Sequence, residues 1–168
     1  MSDQWPKRKV LRHPYHDYNG GAYFVTVCVK DHRCVLGSIQ NGVMHRSDLG
    51  EYLDMAIRNI TDHCKYADIP VWIVMPNHFH AVVLISSDGN IRMPDVGVGG
   101  FHSRLATVIG RIKGSVTRYA RSKDLHFEWQ SRYHDHIMRD PMRSREIVEY
   151  IRTNPIRWST DRYNPESR

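Results

Sequence analysis

The stretch WIVMPNHFHAVVLIS, Trp72–Ser86, decides how this chain is read. IPVWIVM (69–75) and HFHAVVLIS (78–86) are short apolar runs rich in β-branched residues, separated by Pro76 and Asn77. They read as two strands joined by a very short turn. The second strand opens with two histidines. Side chains alternate along a strand, so His78 and His80 share one face and Phe79 points to the other, where it can anchor the strand against helices. Two strand rises separate the histidines by about 6.5–7 Å at Cα. Imidazoles at that spacing can converge on one divalent metal. The alternative is two structural histidines at a strand end. A bare H-x-H recurs by chance, and this chain carries a second one, His134-Asp135-His136. The first pair ranks higher because its middle residue is apolar and AVVLI reads as a central strand.

Working outward, AYFVTVCVK (22–30) is another strand, and Asn41-Gly42 between apolar flanks signals a tight hairpin. In SDLGEYLDMAIRNITDHCKY (47–66), Leu49, Leu53, Ala56, Ile57 and Ile60 recur at helical spacing behind a Ser or Asp cap. SDGNIRMPDVGVGG (87–100) is a glycine-rich surface loop without a period. SRLATVIGRIKGSVTRYARSK (103–123) is a basic amphipathic helix, and RYHDHIMR (132–139) alternates as a strand. DPMRSREIVEYIRTN (140–154) is a helix with Asp140 as cap and Pro141 at its first position, stopped by Pro155. Without the hairpin the order is βαββαβ plus a C-terminal helix. That predicts an α+β, ferredoxin-like antiparallel sheet with its helices on one face. Residues 1–20 form a basic arm, 21–158 a single domain and 159–168 a polar tail.

The chain has 168 residues with 40% hydrophobic and 25% charged, the composition of an ordinary soluble protein with one core. Its net charge of +6 favours a polyanionic partner such as nucleic acid. Three cysteines without C-x-x-C indicate neither a disulfide framework nor a zinc ribbon and are read as reduced thiols of a cytoplasmic protein. There is no apolar signal core and no run near the ~20 residues that span a bilayer, so no membrane association is expected.

Two histidines are too few for a metal site; a third protein ligand and substrate oxygens must complete the shell. In the last helix Tyr150 and Asn154 are four residues apart and share a face, with Ile147, Val148 and Ile151 as packing surface. Spacing alone does not choose between Tyr150 and the helical Tyr119, and a half-buried aromatic with its hydroxyl in water is the plain alternative.

Taken together, VMPNHFHAVVLI, EWQSRYHDHIMRD and EYIRTNP, in that order, resemble the HUH-type single-tyrosine transposases, most closely the REP-associated tyrosine transposases. The opening RKVLRHPYHDYNGGAYFVTVCVKDHRCVLGSI fits that branch too, and the resemblance runs from about Arg8 to Trp158. It implies a ferredoxin-like sheet, magnesium or manganese as cofactor, and action on single-stranded DNA beside hairpins. The family's metal-binding histidines fall on His78 and His80, its nucleophile on Tyr150 and its third ligand on Asn154, where some relatives have glutamine. On ligand grounds imidazole suits zinc or manganese better than magnesium, and with the resemblance pointing to magnesium or manganese, zinc is the less expected ion.

The chemistry implied is metal-assisted attack of a tyrosine phenol on a phosphodiester, leaving a 5′-phosphotyrosine link and a free 3′-hydroxyl that can reverse the step. DNA contacts are expected from Arg8, Lys9, Arg12 and His13 of the arm, and from Arg104, Arg111, Lys113, Arg118 and Arg121 of the basic helix. A solvated helix face or a floppy tail is the alternative for each cluster. A homodimer is one expected assembly, since insertion-sequence relatives are dimers whereas REP-associated relatives can be monomers. A catalytically silent DNA-binding relative and a metal-dependent phosphodiester hydrolase remain as competing functions.

Overall fold

The computed structural model describes residues 19–87 and 103–167. Arg8, Lys9, Arg12, His13 and the glycine-rich stretch from 88 onward lie outside the described residues. The elements are β1 (Gly21–Cys28), β2 (Gly37–Gln40), β3 (Val43–Arg46), α1 (Asp48–Arg58), α2 (Ile60–His63), β4 (Ala67–Met75), β5 (His78–Ile85), α3 (Arg104–Ser122), β6 (His134–Ile137) and α4 (Pro141–Thr153). Two 3-10 turns follow, Pro155–Thr160 and Pro165–Ser167.

Local sequence accounts for most boundaries. Ser47 accepts a hydrogen bond from the Gly50 amide and starts α1, and Asp140 does the same for Met142 ahead of Pro141 in α4. Asn41 and Gly42 both adopt positive φ, 51° and 75°, and close the β2–β3 hairpin. The single helix expected over 47–66 is broken at Asn59, whose φ of −92° and ψ of 12° leave the helical ladder and divide it into α1 and α2.

Four strands form one antiparallel sheet in the order β4-β5-β1-β6. The expected α+β class is what the chain forms: an antiparallel sheet threaded strand, helix, strand, strand, helix, strand, and a further helix after the last strand. The helices of the βαββαβ core share one face, as expected, and the added C-terminal helix takes the other. Tyr23, Val25 and Val27 of β1 and Phe79, Ala81 and Val83 of β5 share a core with Leu53 and Ile57 of α1 and with Leu105, Ile109 and Ile112 of α3. Helices α1 and α3 therefore cover the Phe79 face. The other face is not left to solvent: His78, His80 and Val82 are buried as well. A strand buried on both sides needs a second cover, and α4 supplies it together with the C-terminal segment.

That segment corrects a second expectation. Residues 159–168 read as a polar tail beyond the domain, yet Asp161, Tyr163 and Asn164 are buried. The Tyr163 carbonyl accepts from Asn77 Nδ2 at 2.7 Å, and Ser167 Oγ donates to the carbonyls of Asp161 and Asn164 at 2.7 and 2.9 Å. Among the described residues no helix is long and apolar enough to cross a membrane.

Candidate active site

The site is built on the central strands. In the β1–β5 register Thr26 faces His80 and Cys28 faces His78, so four side chains from two strands share one patch of the second face. His80 Nδ1 lies 2.8 Å from Thr26 Oγ1, and His78 Nδ1 lies 2.8 Å from Asn77 Oδ1. With both δ nitrogens engaged, the ε nitrogens turn toward each other and stand 3.1 Å apart.

Helix α4 brings the third group. The Tyr150 hydroxyl is 3.5 Å from His80 Nε2, with ring centroids 5.3 Å apart. Phe24 stacks on His80 at 5.3 Å and meets Tyr150 edge-on at 6.2 Å, fixing both rings from the β1 side. One turn after Tyr150, Asn154 is fully buried, and among the described residues neither atom of its carboxamide has a hydrogen-bond partner. It lies close enough to the Tyr150 hydroxyl to favour the ionised phenol without meeting it in a hydrogen bond of ordinary geometry. Tyr163 closes the other side, 4.6 Å from His78, with Trp158 at 6.2 Å.

Burial dominates the electrostatics. It drives the His78 pKa well below the ordinary value, with His80, His32 and Arg162 adding to the effect. It lowers His80 to about 3, with Arg162 acting in the same sense. Both rings are therefore neutral at physiological pH, the form in which imidazole binds metal. Burial also raises the Tyr150 phenol, Asp161 adds to this, and Arg162 and Arg157 act against it. Cys28 beneath the site is pushed up to about 12, chiefly by burial, and is inert as a thiol.

The structure thus gathers His78, His80, Tyr150 and Asn154 on one face. Tyr119 is elsewhere: it stacks on Tyr52 at 4.0 Å, on the side of the sheet covered by α1 and α3. The second H-x-H lies on the site's face but at the sheet edge, with His134 opposite Thr26, and both of its histidines are exposed.

The basic helix divides in two. Arg111, Arg118 and Arg121 are exposed on α3, across the sheet from the histidines. Arg104 is buried, donates to the Ser86 carbonyl and lies 5.3 Å from the centre of the Tyr66 ring. Lys113 donates to the carbonyls of Gln130 and Ser131 at 2.7 and 3.4 Å. These two cations thus bond within the fold, and the basic pattern of a helix does not reveal which charges turn inward. Thr26, Asn77, Tyr163 and Phe24 went unread. Asn77 carried a signal, since it directly precedes the first histidine in a turn between buried strands.

No family model matches the sequence. An uncharacterized protein of Haemophilus influenzae is 32% identical over 164 residues, 92% of this chain and 91% of that one, so the two belong to one family. The REP-associated tyrosine transposase of Escherichia coli is 25% identical over 138 residues, covering 82% of this chain and 68% of the relative. The chain is thus similar in sequence to a REP-associated tyrosine transposase. The fold is shared as well: a REP-associated tyrosine transposase solved bound to a REP hairpin superposes with a TM-score of 0.59 over 88% of this chain and 73% of that one, at 20% identity.

Proposed function

We propose that this chain is a transposase-like DNA-processing enzyme that cuts and rejoins single-stranded DNA beside hairpins through a 5′-phosphotyrosine link on Tyr150. The observation that carries this reading is the approach of the Tyr150 hydroxyl to His80, 3.5 Å, within an imidazole pair whose ε nitrogens face each other. Support for DNA as substrate comes from the transposase relatives, one of them solved with a REP hairpin, and from the net charge of +6.

The His78–His80 pair has the spacing a divalent cation needs, and Asn154, buried beside Tyr150, would be its third ligand. Metal–nitrogen bonds of about 2.1 Å meeting at angles between octahedral and tetrahedral put two ligand nitrogens roughly 3.0–3.4 Å apart, and the ε nitrogens stand at 3.1 Å. A fully buried carboxamide without a partner is costly, and the Asn154 oxygen is a donor of the kind that manganese or magnesium accepts. Zinc is the less favoured choice for this mixed nitrogen and oxygen set. When bound, the cation supplies Lewis-acid polarisation of a scissile phosphate oxygen.

The chain's own residues do the rest. Neutral His78 and His80 each keep one ring proton and one nitrogen lone pair, because burial disfavours the second proton. Phe24 and His80 hold the Tyr150 ring so that its hydroxyl faces the pair. The Tyr150 oxygen attacks phosphorus and loses its proton, the bond from phosphorus to the 3′-oxygen breaks, and that oxygen leaves as a 3′-hydroxyl. The ester is conserved, so another 3′-hydroxyl reverses the step without ATP. Exposed Arg111, Arg118 and Arg121 supply phosphate contacts away from the site.

A second reading, a DNA-binding protein without cleavage, is favoured by one feature: His78 and His80 are almost wholly covered. The test is incubation with hairpin-flanked single-stranded DNA and manganese, followed by a denaturing gel. The expected result is a covalent adduct that disappears in Tyr150→Phe and on chelation and persists in Tyr119→Phe. Sequence-selective binding with no adduct on any of several hairpins would establish the second reading. An activity that survives in Tyr150→Phe without an adduct would instead mark a hydrolase.

A further inference from the structure

The fully buried Asn77 side chain makes three hydrogen bonds. Its Nδ2 donates to the His32 carbonyl at 2.9 Å and to the Tyr163 carbonyl at 2.7 Å. Two carbonyl acceptors fix the amide orientation, because a flipped amide would turn its oxygen onto both of them. Its Oδ1 therefore faces His78 Nδ1 at 2.8 Å and can only accept. His78 must then carry its proton on Nδ1, which leaves Nε2 with a bare lone pair. Since the partner nitrogen at 3.1 Å is His80 Nε2, His80 donates from Nε2 when no cation is present. Its Nδ1 in turn accepts from the Thr26 hydroxyl at 2.8 Å.

The two supports are not equivalent. Asn77 cannot reverse its role, because its donors are committed to the turn at His32 and to the C-terminal segment at Tyr163. Thr26 can reverse, because a hydroxyl both donates and accepts. We propose that Asn77 is a positioning residue that locks His78 in the Nδ1–H tautomer, and that Thr26 lets His80 move its proton from Nε2 to Nδ1 when a cation takes the space between the rings. The proton count is unchanged: His80 keeps one ring proton throughout and only its position shifts. The part concerning His80 rests on the metal reading above; the part concerning His78 does not. Outer-shell partners of this kind commonly change metal affinity about 10- to 100-fold when removed.

The test is long-range ¹H–¹⁵N NMR of the histidine rings in the full chain, with and without zinc as a diamagnetic probe. Without metal, His78 is expected as Nδ1–H and His80 as Nε2–H; with zinc, both are expected as Nδ1–H. Thr26→Val should hold His80 as Nε2–H and weaken zinc and manganese binding about tenfold or more, and Thr26→Ser should restore both. Asn77→Ala should let His78 populate both tautomers; if that variant does not fold, the wild-type spectra and the Thr26 pair carry the test. A His78 ring protonated on Nε2 in the metal-free protein overturns the proposal. Correct metal-free tautomers with no response to zinc or manganese would uphold the assignment of Asn77 and sink the metal reading instead. Undiminished zinc affinity in Thr26→Val would overturn the role of Thr26.

Discussion

The Tyr150 hydroxyl stands 3.5 Å from His80 Nε2, although the two residues are seventy positions apart. Both belong to the same chain, so the candidate nucleophile and the imidazole pair need no second molecule to meet. Mixing Tyr150→Phe with His80→Ala protein is therefore expected to yield no covalent DNA adduct. Recovery of adduct in the mixture, read on the same denaturing gel, would show that the tyrosine helix is exchanged between copies.

Acid should weaken the fold through the histidine pair. His80 titrates at about 3 in the folded protein against 6.5 in an unfolded chain, so the unfolded state binds a proton that the folded state refuses across that window. Stability is expected to fall as pH drops below 6.5, by about 1.4 kcal/mol per pH unit from His80 alone. His78 acts in the same direction. Urea unfolding of wild type and His80→Asn at pH 7 and pH 5 checks this: the wild type should lose more than the variant.

The cations of α3 should separate by experiment. Arg104→Ala and Lys113→Ala are expected to lower the denaturation midpoint, because each strips donors from buried or half-buried carbonyls. Arg118→Ala and Arg121→Ala should leave the midpoint unchanged. Each should instead reduce the slope of log affinity for DNA against log salt by about 1. A salt slope unmoved by either would remove α3 from the DNA-binding surface.

Two helical glycines should respond oppositely to alanine. A Cβ on Gly50 would lie 2.1 Å from the Leu36 carbonyl oxygen, where α1 crosses the strand leading into the hairpin. Gly50→Ala is expected to cost roughly 2 kcal/mol or more. Gly110 of α3 has nothing within 4 Å of a built Cβ, and Gly110→Ala should stabilise by up to about 1 kcal/mol. Chemical denaturation measures both.

The C-terminal segment should behave as part of the core. Truncation after Trp158 removes Tyr163 from the His78 ring and one acceptor from Asn77. Faster modification of His78 by an imidazole-directed acylating reagent is the expected outcome, followed by mass spectrometry. Equal rates in both proteins would mean that the segment does not shield the ring.

The legible parts of this molecule were those written in local pattern. The Pro76-Asn77 turn between two apolar runs, the Asn41-Gly42 hairpin and the caps at Ser47 and Asp140 each follow from a few adjacent residues. The placement of His78 and His80 on one face follows from strand alternation. What adjacent residues could not tell was partnership across the sheet. Thr26 is an ordinary strand threonine until the register sets it opposite His80. Tyr163 sits among charged neighbours and reads as surface until its ring is found on His78. Arg104 and Arg118 occupy the same basic pattern, and only tertiary contacts separate the buried one from the exposed one.

The borders of the main sheet have a consequence for assembly. On one side, β4 carries Pro70 and a register shift between Asp68 and Val71, and it has the β2–β3 hairpin packed near it. On the other side, β6 offers only four residues. A proline without an amide proton, a kinked ladder and a very short last rung are poor templates for foreign backbone. The sheet is in effect hemmed at both ends, so its growth by strand addition is discouraged.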